Sequence, residues 1–285
     1  MDDRSAGDIA RSALVGTRFA DVRWVTETGS TNADALELGR QGEAEGVVLV
    51  ADHQTAGRGR LGRTWQAPVG GSLLCTILLR PPASVAPATT MAVAVAAADA
   101  VADLTGCAPR LKWPNDLVWP GDGSTTDRKL AGILAEVDWP AASQISSGWK
   151  APRPDDRLVV AVGIGINVRW GADVPADLTD LAVAIDHLTD PAPAPDRGEL
   201  LVAMLRHLDR RYGELLAGDE GASALREAWR DRSATLGRRV RIDLGADDLQ
   251  GTAVDITDEG HLVVDTVEGD RRTIAVGDVV HLRPL

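Results

Sequence analysis

The chain is poor in the residues that carry many familiar chemistries. Only two cysteines, Cys75 and Cys107, stand among its 285 residues. They form no C-x-x-C pair, and both sit in apolar surroundings. They read as buried, reduced thiols of a cytoplasmic protein. No apolar run approaches the roughly 18 residues that span a bilayer. The longest, Met91 to Ala98, is short and rich in alanine. The opening MDDRSAGD is acidic and polar, where a secretory signal would be basic and then apolar. There is no Ser-His-Asp set and no P-loop G-x-x-x-x-G-K-[ST].

Positive charge is also scarce. The formal net charge is −12, which opposes any general affinity for nucleic acid, since that depends on clustered cations releasing counterions from phosphate. Lysine is scarcer still. Of 30 basic residues, 27 are arginine and three are lysine: Lys112, Lys129 and Lys150. The bias reads either as the mark of a GC-rich genome or as lysine kept where a compact ammonium on a flexible stem is needed. Lys112 and Lys129 both fall in segments marked by glycine or proline.

What the chain does contain is enough for one large domain and a small appendage. Its hydrophobic content of 44% supports a sizeable core. Strands are expected at 22–25, 47–54 and 72–80, and in the runs KLAGILAEVDW and RLVVAVGIGINVRW. In TGSTNADALELGRQG, Thr31 followed by Asp34 resembles a capping box, with Ala35 and Leu38 on one helical face. A small-residue helix is expected over 88–105, ending at Gly106. Apolar residues from Leu200 to Leu215 recur at helical spacing, and a second helix covers about Ala222 to Ala234. From Leu236 the texture changes to short alternating strands between Gly/Asp turns, the pattern of a small β-barrel. The boundary is placed near residue 235. Loop-like insertions are expected at 120–127 and 140–156, and PAPAP at 191–195 is a stiff connector.

The most unusual stretch is TAGRGRLGRTW, residues 55 to 65. Gly57, Gly59 and Gly62 spell the dinucleotide fingerprint G-x-G-x-x-G. That reading requires a helix after the glycines, whose N-terminus takes the pyrophosphate. Here Pro68, Gly70 and Gly71 intervene and a strand follows. The acidic residue expected about 20 positions on is missing. The loop still suits an anion: glycine backbones approach closely, and arginines offer forked donors to phosphate or carboxylate. It would equally read as a solvated Arg-Gly turn. In KWPNDL, Asn115 and Asp116 are oxygen donors suited to Mg²⁺, or simply part of a turn. The glycines of GIGIN, 163 to 167, mark a close approach by ligand or backbone, or a bulge. Lys129 opens KLAGIL, with Gly132 three residues on.

Together these segments resemble the biotin protein ligase family. The matching motifs are GSTN (29 to 32), DHQTAGRGRLGRTW (52 to 65), KWPNDL (112 to 117), KLAGILAE (129 to 136) and GIGINV (163 to 168). They run in the family's order. The resemblance implies an α+β fold: a mixed β-sheet flanked by helices, like the class II aminoacyl-tRNA synthetases, with a small SH3-like C-terminal β-barrel. It implies a catalytic biotin- and ATP-binding domain at 1–234 and an SH3-like domain at 235–285. The implied reaction is a two-step ligation through biotinyl-5′-AMP, with Mg²⁺, onto a lysine of a biotin carboxyl carrier domain.

Carried onto matching positions, the biotin site would comprise Ser30, Thr31, Asn32, Gln54, Gly57, Arg58, Gly59, Arg60, Lys129, Gly132, Gly163 and Gly165. Adenylate contacts would come from Arg58, Arg60, Arg63, Trp65, Lys112, Asn115 and Asn167. Lys129, Arg60 and Asp116 would be catalytic, and Asp116 with Asn115 would meet the metal. The Arg-Gly loop is expected to order over the ligand as a lid. About 20 residues precede the first strand, too few for a winged helix-turn-helix, so no operator binding is expected. Nor is a membrane partner, and the chain is expected to be a monomer or weak homodimer. His53 is read as structural. The nearest alternative is a lipoate or octanoate ligase of the same fold; Ser30, Thr31 and Gln54 favour biotin by supplying polar partners for its ureido group.

Overall fold

The computed structural model describes residues 3–121, 126–138, 151–171, 174, 178–244, 248–275 and 277–281. Along the chain run α1 (Asp3–Ala13), β1 (Val22–Thr28), α2 (Thr31–Arg40), β2 (Val48–Gln54), β3 (Ser72–Leu79) and α3 (Thr89–Thr105). Then follow β4 (Arg110–Lys112), β5 (Asp116–Trp119), β6 (Arg128–Asp138), β7 (Val159–Asn167), α4 (Ile185–Thr189), α5 (Arg197–Leu216) and α6 (Asp219–Asp231). The last strands are β8 (Arg239–Asp243), β9 (Asp248–Ile256), β10 (Leu262–Thr266), β11 (Arg271–Ile274) and β12 (Asp278–His281).

Strands β1 to β7 form one seven-stranded sheet in the order β1-β2-β3-β7-β6-β5-β4. Only β1 and β2 are parallel, so the sheet is mixed, as expected. Alternation along β7 sorts its two faces. Val160, Val162, Ile164 and Ile166 enter the main core beneath α3 and α5. Ala161, Gly163, Gly165 and Asn167 face the other side, where α2 packs. β3 is buried throughout its length. Strands β8 to β12 form a separate five-stranded antiparallel sheet, ordered β11-β10-β9-β8-β12, that fits an SH3-like fold.

Helix α3 has alanine or valine at most positions and is buried on nearly every side. Small side chains let the sheet and α5 approach it closely. The stretch Ala86–Thr105 has the length and hydropathy to cross a membrane, but it is two-thirds buried inside the protein, as a core helix is. Gly106 closes α3 in the left-handed conformation, φ 71°, the usual glycine stop.

Several local expectations need correction. Ser30, not Thr31, is the N-cap of α2, and no side chain caps it. Asp34 instead accepts from the Thr28 hydroxyl at 2.6 Å, and Leu36 rather than Leu38 is buried with Ala35. The second late helix starts and ends three residues early. Leu111 takes over the chain after Arg232: its N–H donates to Arg232 O and its carbonyl accepts from Ala234 N. Cys107 is only half-buried, and both thiols are free. The sequence also gave no sign of α1. Of the two insertions, 122–125 and 139–150, with Lys150, lie outside the described residues.

Candidate active site

The site is built on the glycine face of the large sheet. Gly132 on β6 lies opposite Gly165 on β7, and Leu134 lies opposite Gly163. A Cβ on Gly165 would stand 2.6 Å from the Trp65 indole, and one on Gly132 2.8 Å from it. A Cβ on Gly163 would stand 2.0 Å from Asn32 Oδ1. The strand glycines therefore mark close approach, by Trp65 and Asn32. Above this shelf is a cavity of about 370 Å³.

One set of residues at the cavity is polar and uncharged. Gln54 Oε1 accepts from Thr31 N at 2.8 Å and lies 3.1 Å from the Thr31 hydroxyl. A backbone N–H requires an oxygen opposite it, which fixes the amide: its NH₂ turns toward Gly57. The buried Thr76 hydroxyl lies 2.7 Å from Asn32 Oδ1 and 2.8 Å from the Thr31 hydroxyl. Asn32 Nδ2 donates to the Glu136 carboxylate at 2.9 Å. Ser30 is buried beside them.

A second set is ionic. The Arg-Gly segment is a small hairpin with a one-turn 3₁₀ helix, Arg60–Gly62, at its tip. Trp65 N donates to Gly57 O at 3.0 Å, and a Cβ on Gly57 would meet Trp65 O at 2.5 Å. Glycine is required there for the two arms to close. The arginines point at carboxylates. Arg58 reaches Glu136 at 2.8 Å, Arg60 reaches Asp278 at 3.5 Å, and Arg63 also pairs with Asp278. Lys129 Nζ lies 2.6 Å from Asp116 Oδ1 and 5.5 Å from the centre of the Trp65 ring. The Lys129 backbone is pinned from both sides: its N–H donates to Leu181 O and its carbonyl accepts from Val183 N.

All but two of the expected site residues line this cavity. Gly57 serves the hairpin from behind. Asn167 is buried on the same face of β7 as the two glycines, and its amide donates to Lys129 O at 3.3 Å and Val183 O at 3.1 Å. It braces the strand that carries Lys129. Sequence reasoning also missed wall residues. Leu74, Cys75 and Ile133 line the cavity, and burial raises the Cys75 thiol to about 12, so it is an inert wall. Asp278, Val279 and Val280 arrive from the C-terminal sheet, more than a hundred residues beyond the last motif, with no local signal to reveal them. Glu136 stands inside KLAGILAE, where alternation from Gly132 places it on the ligand face.

The aromatic of KWPNDL is an anchor. Trp113 is buried, its ring nitrogen donates to Gly260 O at 2.9 Å, and its backbone N–H donates to the Thr235 hydroxyl at 3.0 Å. Thr235 Oγ1 is 3.2 Å from His281 Nε2, and His281 Nδ1 is 2.9 Å from Asp127, which also pairs with Arg238 at 3.0 Å. Burial, with Lys112 nearby, lowers His281 to about 4. The ring is therefore neutral, accepting from Thr235 and donating to Asp127. A cleft of about 270 Å³ adjoins the cavity here and shares Arg60, Trp113 and Asn115 with it. His53, by contrast, pairs with Glu27 across β1 and β2 at 3.0 Å, away from the cavity.

The family model for the biotin/lipoate A/B protein ligase family matches residues 25–150, and that for the biotin protein ligase C terminal domain matches 235–282. The biotin--[acetyl-CoA-carboxylase] ligase of Mycobacterium tuberculosis is 38% identical over 99% of this chain and 96% of its own length. The chain belongs to the biotin protein ligase family. The Paracoccus denitrificans ligase of the same name is 32% identical over 90% of this chain and 98% of its own. A solved structure of the Aquifex aeolicus biotin protein ligase, in complex with biotin and ATP, superposes with a TM-score of 0.70 at 26% identity. It covers 93% of this chain and 99% of that one.

Proposed function

We propose that the chain activates biotin with ATP and passes it to a lysine of a biotin carboxyl carrier domain, in the cytoplasm, as a monomer or weak dimer. One observation carries the reading. A fixed hydrogen-bonding set and a cluster of cations line one cavity over a glycine shelf. The division of labour follows: residues 1–234 supply both sets, and 235–285 close one wall.

Biotin has a neutral ureido head and an anionic tail. Ser30, Thr31, Asn32 and Gln54 suit the head. The Gln54 NH₂ can donate to a ureido carbonyl, and hydroxyl oxygens can accept from its N–H groups. Gly132, Gly163 and Gly165 let Trp65 and Asn32 sit down on strand backbone, and these side chains then border the space for the tail. In the first step a carboxylate oxygen of biotin attacks the α-phosphorus of ATP, and pyrophosphate leaves. Two anions must meet, so Lys129, Arg58, Arg60 and Arg63, with Lys112, offset their repulsion and the charge on the transferring group. Ion pairs with Glu136, Asp116 and Asp278 orient these cations, and positioning of this kind is the main resource of a phosphoryl-transfer site. Asn115 and Asp116 offer one amide and one carboxylate oxygen, a donor set that fits Mg²⁺ when phosphates complete its shell. When bound, the ion would neutralise phosphate charge.

In the second step the acceptor amine attacks the acyl carbon and AMP departs. An ammonium of pKa about 10.4 must first lose a proton. Asp116, beside Lys129, is placed to take or orient it. Biotinyl-5′-AMP is an anhydride, so water has to be excluded, and the Arg-Gly hairpin is the element positioned to close over it.

The test is ATP–pyrophosphate exchange with Mg²⁺ and, in parallel, biotin, lipoate or octanoate. Exchange with biotin alone is expected. Exchange with lipoate instead would reject the pocket assignment, and exchange with none would reject the activity.

A further inference from the structure

Four cations of the site each have a carboxylate partner. Glu136 takes Arg58, Asp116 takes Lys129, and Asp278 takes both Arg60 and Arg63. Glu136 and Asp116 stand on strands of the large sheet, and Asp278 is the one carboxylate of the three from outside it. It opens β12, and with Val279 and Val280 it forms the part of the cavity wall that the C-terminal sheet supplies. Arg60 also lies 3.4 Å from Gly277 O and 3.5 Å from Asn115 Oδ1.

The two sides of this contact differ in rigidity. Asp278 is firmly mounted. It pairs with Asp243 on β8, and three residues on, His281 is held by Thr235 and Asp127. A Cβ on Gly277 would stand 2.8 Å from Ile242, so that turn is tightly packed too. The hairpin tip is not. Arg60–Gly62 contains no buried residue, Leu61 sits in the left-handed region at φ 56° and is 74% exposed, and the Arg63 side chain is 65% exposed. Among the described residues, the tip's contacts with the C-terminal sheet are the ion pairs to Asp278 and the Arg60 bond to Gly277 O.

We propose that Asp278 is a positioning residue for the nucleotide. It holds Arg60 and Arg63 over the empty cavity and yields them to the phosphates of ATP, so the C-terminal sheet sets the ATP affinity of the site. A carboxylate and a triphosphate compete for the same guanidinium forks, and they repel each other at this range. Removing the carboxylate charge therefore favours the nucleotide and loosens the empty hairpin. The inference rests on the reading that these arginines meet the triphosphate.

The experiment is D278N in the full chain, with D258N as control; Asp258 pairs with Arg226 elsewhere on the C-terminal sheet. In biotin-dependent exchange, D278N lowers the KM for ATP about threefold or more and leaves the KM for biotin in place, whereas D258N changes neither. In limited trypsin digestion without ligand, D278N is cut faster than wild type between Arg58 and Arg63. A KM for ATP that rises or stays put, or unchanged cleavage of the ligand-free hairpin, would overturn the proposal. D278S repeats both measurements should D278N fail to fold. A wild-type chain with no exchange would sink the functional reading, and the digestion would still decide the tether.

Discussion

Lys129 is one of three lysines in a chain that otherwise uses arginine, and its surroundings give a physical reason. Its ammonium fits between the Asp116 carboxylate and the face of Trp65, where a planar fork would need more width and a different approach. Lys129→Arg should therefore fail as a conservative change, and Lys129→Ala should lower biotin-dependent exchange about 10²- to 10³-fold, the usual effect of removing one placed donor from such a site. Steady-state exchange rates check both; a near-wild-type K129R would remove Lys129 from the chemistry. Asp116→Asn tests the second step alone. Transfer from preformed biotinyl-5′-AMP should slow, while a wild-type transfer rate would leave Asp116 with no role as base or orienter. Gly163 invites a steric test. Its new Cβ in Gly163→Ala would stand 2.0 Å from Asn32 Oδ1, so Asn32 must leave its bonds to Glu136 and Thr76. Overpacking of this kind costs about 1–3 kcal/mol, and the KM for biotin should rise more than that for ATP.

At the scale of elements, the hairpin from 55 to 71 depends on what grips its ends. β2 delivers the first end. At the other, Gly70 N donates to Asp52 O. The Asp52 side chain is buried, accepts from Trp24 at 3.1 Å and pairs with Arg197 at the start of α5 at 2.6 Å. Arg197→Met would strand that carboxylate in the interior, and breaking one side of a buried pair typically costs about 3–5 kcal/mol. Denaturant unfolding should show the loss, with most of it recovered in the Asp52→Asn, Arg197→Met double variant. The strands and long helices of this scaffold were legible because apolar periodicity is local: β2, β3, β6, β7, α3 and α5 all write it in their own residues. The glycines of β6 and β7 announced a close approach, but not that Asn32 and Trp65 make it. The motif placed Asn167 beside the site, but not its amide's bonds to Lys129 O and Val183 O, which depend on a distant loop. Asp278 left no trace in sequence, since it enters the site only through the packing of one sheet on the edge of another.

For the whole molecule, the contact between the two sheets carries a titration. His281 is neutral in the folded protein, held near 4 by burial and by Lys112, against 6.5 when free. Between those values the unfolded chain binds the proton and the folded chain does not. Stability from this residue is thus complete above about pH 6.5 and is lost as pH falls toward 4. His281→Gln, which retains a hydrogen-bonding side chain, should flatten the dependence of Tm on pH across that window; an unchanged slope would mean the ring is protonated or free in the native protein. On the C-terminal sheet Arg271 pairs with Asp265 and Arg272 with Asp270, while Asp255 and Asp258 pair with Arg230 and Arg226 of α6. Because the cavity wall includes Asp278, Val279 and Val280, neither sheet encloses the cavity alone. Two polypeptides made separately, 1–234 and 235–285, would behave as a complementation pair: silent apart, active when brought together, and so a switch whose output reports their proximity.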